Sequence, residues 1–81
     1  MKIFFRDCEW FKKEILKRGY SLGSFADEVG ISRPYMWELA NGFKHPSGRV
    51  AKKIVDTLDV DFDHIFIIKD VNKSKRKEVI K

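Results

Sequence analysis

The sequence has one cysteine, Cys8, two prolines, Pro34 and Pro46, and no long apolar run. A lone cysteine excludes an internal disulfide, and a reducing cytosol is the simplest setting for such a chain. Crossing a bilayer takes about 18 or more consecutive apolar residues, and no segment approaches that. The opening stretch Met1-Lys2-Ile3-Phe4-Phe5-Arg6-Asp7 lacks the apolar core and small-residue cleavage site of a signal peptide, so a soluble, intracellular protein with no membrane partner is expected. There is no Gly-rich phosphate loop, no carboxylate pair with a neighbouring His and no Cys/His nucleophile set, and an enzyme is not expected. His45, His64 and Cys8 have no metal-ligand spacing, so neither a metal nor a cofactor is assigned. Internal repeats and low-complexity tracts are also missing.

What remains is a short, basic, aromatic-rich chain. Eighty-one residues make one domain, and 43% hydrophobic residues with seven Phe and two Trp suffice for a helical core. The net charge of +5 favours a polyanionic partner, nucleic acid or an anionic surface. That charge is concentrated: Lys69, Lys73, Lys75, Arg76, Lys77 and Lys81 face only Asp70 and Glu78, which puts +4 in residues 69–81. The domain is therefore placed at 1–68, with 69–81 as a basic tail. This tail is either a solvated terminus or an arm that adds non-specific phosphate affinity.

Punctuation divides the domain into five short helices. Cys8, Phe11 and Ile15 give one apolar face to a first helix from Asp7 to about Arg18, with acids at its start, bases at its end and Gly19 as its stop. Ser21 caps a second, Leu22 to Val29, which Gly30 ends. Ser32 caps a third, Arg33 to about Asn41, with Pro34 in the first turn, where a missing N–H costs nothing, and Gly42 as its end. Pro46-Ser47 opens a fourth, Gly48 to Leu58, and Asp61 is placed to cap a last turn through Phe66. The expected fold is all-α.

The second and third helices carry the functional signal. Two short helices crossing steeply need a small residue at the crossing, which Ala26 supplies. The tight turn needs a residue that accepts positive φ, which Gly30 supplies. Ile31 plugs the turn into the core, and Met36 and Leu39 hold the third helix against Phe25 and Val29 of the second. Together these seven residues spell a helix-turn-helix. The run Gly19-Tyr20-Ser21, Phe25 through Arg33, Asn41-Gly42, Pro46-Ser47 and Leu58 through Phe66 resembles the XRE/Cro-type family of phage and bacterial repressors over about residues 9 to 66. The resemblance implies a five-helix repressor-like domain, usually a homodimer on a palindromic operator, with the third helix in the major groove. Leu22 stands where the family often has a phosphate-contacting Gln, Asp59 where it usually has Gly, and Tyr35 and Trp37 where small polar residues are commoner.

Helical spacing then sorts the third helix. With Met36 and Leu39 inward, Pro34, Trp37, Glu38 and Asn41 point outward, and Arg33 and Tyr35 lie on the flanks. Ser32, Arg33, Pro34, Trp37 and Glu38 are the candidates for reading bases. Arg33 suits guanine O6/N7, Glu38 a cytosine amino group, and Trp37 or Pro34 a thymine methyl. Tyr35, Asn41, Lys44, His45, Ser47 and Arg49 are the candidates for the DNA backbone, the last two at the N–H-rich start of the fourth helix. Phe62, Ile65, Phe66, Ile67 and Ile68 exceed what one short helix can bury, as does the opening Met1–Phe5 run. Either they complete the monomer core or they pack across a two-fold axis as a dimer contact, the reading favoured here. The sequence thus points to a regulator of double-stranded DNA from a bacterial or phage cytoplasm. A protein-binding antirepressor or antitoxin on the same fold, with a regulatory protein as partner, is the alternative.

Overall fold

The computed structural model describes residues 1–70, so the basic tail beyond Asp70 lies outside the described residues. Among the described residues there are five helices, α1 (Cys8–Lys17), α2 (Leu22–Val29), α3 (Arg33–Ala40), α4 (Gly48–Leu58) and α5 (Phe62–Ile65). They are framed by two strands, β1 (Lys2–Phe5) and β2 (Phe66–Lys69). Each of the first four helices starts on a side-chain cap: Asp7, Ser21, Ser32 and Ser47 accept from Trp10, Ser24, Tyr35 and Val50 backbone N–H groups. Each cap satisfies a donor that the helix itself leaves open. Asp61 precedes α5 without a capping bond, and that helix is a single turn.

Two helix ends show how the chain reverses. Gly30 has φ +92°, and its N–H and that of Ile31 both reach the Ala26 carbonyl at 2.8 and 3.0 Å. Asp59 does the same job after α4 at φ 58°, in the left-handed region that Asp enters more readily than most residues.

The core lies where α1, α2, α3 and α4 converge. Phe11, Phe25, Met36, Leu39, Ile54 and Leu58 are wholly buried, and Ala26, Ala40 and Ala51 let the helices approach closely. Ile31 is half-buried against this core, as the turn requires.

The chain is thus mainly helical, and the strands add what the all-helical expectation left out. β1 and β2 pair antiparallel, with Lys2 opposite Lys69, Ile3 opposite Ile68, Phe4 opposite Ile67 and Phe5 opposite Phe66. The Phe5 ring lies 4.5 Å from Phe11 and 4.8 Å from Phe66, centroid to centroid. The Arg6 N–H donates to the Ile65 carbonyl at 2.8 Å, and the Arg6 Nε donates to the Asp63 carbonyl at 2.7 Å. The two apolar runs that seemed surplus in sequence therefore pair with each other, Phe5 and Phe66 reaching the core while Met1 and Ile68 stay exposed. This corrects the dimer assignment for Ile65 and Phe66, which are 1% and 0% exposed inside the chain's own core. Lys69, counted with the tail in the sequence, is the last residue of β2.

Candidate nucleic-acid interface

α3 is fixed from behind. Met36, Leu39 and Ala40 are fully buried against α2 and the rest of the core, so the opposite side of this two-turn helix must face solvent. Ser32, Arg33, Pro34 and Trp37 are exposed there, while Tyr35, Glu38 and Asn41 are half-buried at its edges. Pro34 and Trp37 point outward as helical spacing implied, whereas Glu38 and Asn41, expected outward, are half-buried, and Arg33, expected on the flank, is exposed. Spacing did not foresee how these side chains bond to one another.

At the N-terminal end, Arg33 folds back over α2. Its Nη2 donates to Asp27 Oδ2 at 2.5 Å and its Nε to Asp27 Oδ1 at 3.3 Å, a two-point fork. The guanidinium lies over Gly23, where an added Cβ would sit 3.2 Å from Nη1 and 3.3 Å from Cδ and Cζ. The Arg33 hydrogen bond holds the Asp27 carboxyl below its ordinary 3.8, against a smaller opposing effect of desolvation, and the same bond raises Arg33.

The other end is aromatic. Trp37 and Phe43 stack with centroids 5.5 Å apart and planes 20° from parallel, and remain 52% and 68% exposed. Glu38 pairs with Lys44 at 3.7 Å. Asn41 is held on both sides, accepting from Lys12 Nζ at 3.0 Å and donating to the Trp37 carbonyl at 2.9 Å.

The loop that follows joins this face to the strand ribbon. The His45 ring rests on Phe4 at 4.4 Å, and the Lys69 ammonium sits 5.1 Å over the other partner of that contact, the Phe4 ring. Ser47 is exposed and caps α4, and the exposed Arg49 side chain forms no ion pair or hydrogen bond among the described residues. Leu22, standing where the resemblance has Gln, packs against the core and supplies apolar contact instead.

Sequence reasoning missed Asp27, Gly23, Phe43 and Lys12. Asp27 had a usable signal, an acid six residues before Arg33 across a turn that folds the two helices together. Phe43 had one too, a second aromatic beside Gly42 close behind Trp37. Lys12 reaches Asn41 only through tertiary packing, and no local spacing points to it.

Among the described residues there is no pocket, no cluster of three metal-ligating side chains and no helix long and apolar enough to cross a membrane. The helix-turn-helix family matches residues 11–65. The chain is also similar to an uncharacterised HTH-type transcriptional regulator, YqaF of Bacillus subtilis strain 168. The two are 34% identical over 58 residues, which make up 72% of this chain and 76% of that protein. No solved structure matches the chain.

Proposed function

The chain belongs to the helix-turn-helix family, of the XRE/Cro type, and from that premise we propose that it is a sequence-specific DNA-binding transcriptional regulator, a repressor that acts by occupying its operator. The observation that carries this reading is the solvent side of α3, where Pro34 and Trp37, with Arg33 on the flank, are exposed while Met36, Leu39 and Ala40 are wholly buried. A helix so presented fits the major groove. Ser32, Arg33, Pro34, Trp37 and Glu38 then read base edges. Tyr35, Asn41, Lys44, His45, Ser47 and Arg49 set the register on phosphates.

The regulator binds as a homodimer to a palindrome whose half-sites lie about one helical turn, roughly 34 Å, apart. Phe62, Ile67 and Ile68 are the part of the 62–68 segment left for the two-fold contact, and Ile68 is 53% exposed. Among the described residues β2 pairs only with β1, and an edge left unpaired is a template for pairing with a second chain.

Selection of binding sites from random duplex DNA, followed by sedimentation of the protein with and without the selected site, tests both parts. The expected result is a palindromic consensus bound by two chains. A protein that enriches no sequence, or that binds one chain per asymmetric site, sinks the corresponding part.

One observation favours a second reading. The Trp37–Phe43 stack is the largest exposed aromatic surface of α3 and its loop, and the charges of Arg33 and Glu38 are already paired within the chain. Such a face also suits a protein partner, as in an antirepressor or antitoxin.

A further inference from the structure

We propose that Asp27 and Gly23 of α2 are positioning residues that present Arg33 to a guanine. The inference rests on the reading of α3 as the base-reading helix.

Arginine carries five N–H donors in a planar fork. An arginine on the exposed first turn of a helix has many rotamers, and choosing one on binding is entropically unfavourable. Here the choice is made in the free protein. Asp27 takes the edge formed by Nε and Nη2, and Gly23 lies against the Cδ, Cζ and Nη1 atoms, where an added Cβ would sit 3.2–3.3 Å away and push the guanidinium aside by a few tenths of an ångström. What these partners leave open is the end of the fork, where Nη1 and the second hydrogen of Nη2 point in parallel. That end matches the O6 and N7 acceptors of guanine in the major groove. The side chain is still 64% exposed, so the seat orients it without enclosing it.

The carboxylate also has an adverse side, because a negative charge near the DNA face repels phosphates. A residue that only carried charge would be better absent. A residue that aims Arg33 lowers overall affinity slightly and raises the preference for one base. The two roles predict opposite outcomes when Asp27 is removed.

The experiment titrates two labelled duplexes with each purified variant, the selected site and the same site with its Arg33-dependent G·C pairs replaced. Arg33→Ala should reduce discrimination between them by tenfold or more. Asp27→Ala should reduce it several-fold, and Asp27→Asn, which keeps one acceptor oxygen, should fall between Asp27→Ala and the parent. The Asp27→Ala/Arg33→Ala double variant should discriminate no worse than Arg33→Ala alone, since Asp27 acts through Arg33. Gly23→Leu fills the seat with a good helix former and should lower discrimination while the circular dichroism spectrum stays unchanged. If Asp27→Ala tightens binding to both duplexes alike and leaves discrimination intact, the proposal is overturned and Asp27 is merely a repelling charge. If Arg33→Ala itself discriminates like the parent, the failure lies with the base-reading assignment of α3 instead.

Discussion

At its N-terminal end, α3 offers an arginine seated over Gly23 and tied at two points to Asp27, with Ser32 closing the first turn. At its C-terminal end, one turn further on, it offers an indole and a phenyl ring stacked in solvent. The first surface is directional: hydrogen-bond donors at fixed angles distinguish one base from another. The second is not, since an apolar ring pressed on a methyl group, a sugar or a protein side chain gains about the same from each. On the proposed reading, a single short helix separates choosing a partner from adhering to it.

The largest expected effect removes the comparison altogether. Leu39 lies between the two ends and is wholly buried, so Leu39→Ala should cost about 2–5 kcal/mol of folding stability in urea unfolding and weaken both ends together. Ser32→Ala should act on the N-terminal end alone. Loss of the bond to the Tyr35 N–H should cost about 1 kcal/mol of stability, read from the same urea midpoint. Trp37→Ala sharpens the contrast from the other side. Its ring is 52% exposed and lies outside the buried core, so stability should move by less than about 0.5 kcal/mol. Titration with the selected duplex then decides what the ring touches. A loss of affinity without change in base preference places it on DNA, whereas unchanged DNA binding places it against protein.

The smallest effect is a proton. Because Arg33 holds the Asp27 carboxyl low, its NMR titration midpoint should lie below 3.8, and Arg33→Ala should return it towards that value. The sign for stability follows from a lowered folded-state midpoint: the pair helps the fold above about pH 4 and stops helping as pH falls through the depressed midpoint. Both groups are exposed, so this contribution is small. A midpoint at or above 3.8 in the parent would mean that the fork is not populated in solution.

The ease of reading these features in sequence followed their range. The bounds of α2 and α4, the Ser21 and Ser32 caps and the positive φ at Gly30 depend on residues within a few positions and were legible, whereas the Asp7 and Ser47 caps were not read as such and the cap expected of Asp61 does not form. The outward side of α3 was legible for the same reason, since Met36 and Leu39 define its back. The Asp27–Arg33 fork depends on the angle between two helices, and pattern alone does not give that angle. The ribbon was the hardest. Ile3, Phe5, Ile67 and Ile68 read equally well as a surface for another chain, because nothing local says that the partner of a strand is the far end of the same polypeptide. Burial of Ile65 and Phe66 decided that question against a role for them between chains.

The ribbon also sets an order of events in time. Arg6 meets the Asp63 carbonyl across 57 residues of chain. At a synthesis rate of about 5–20 residues per second, β1 is made roughly 3–13 s before its partner. The helices between them draw on nearby contacts and need not wait. Phe5, and the side of Phe11 that it covers, stay wet until Phe66 arrives. β2, the last strand among the described residues, is therefore the clasp: until it is made, one flank of the core has no cover.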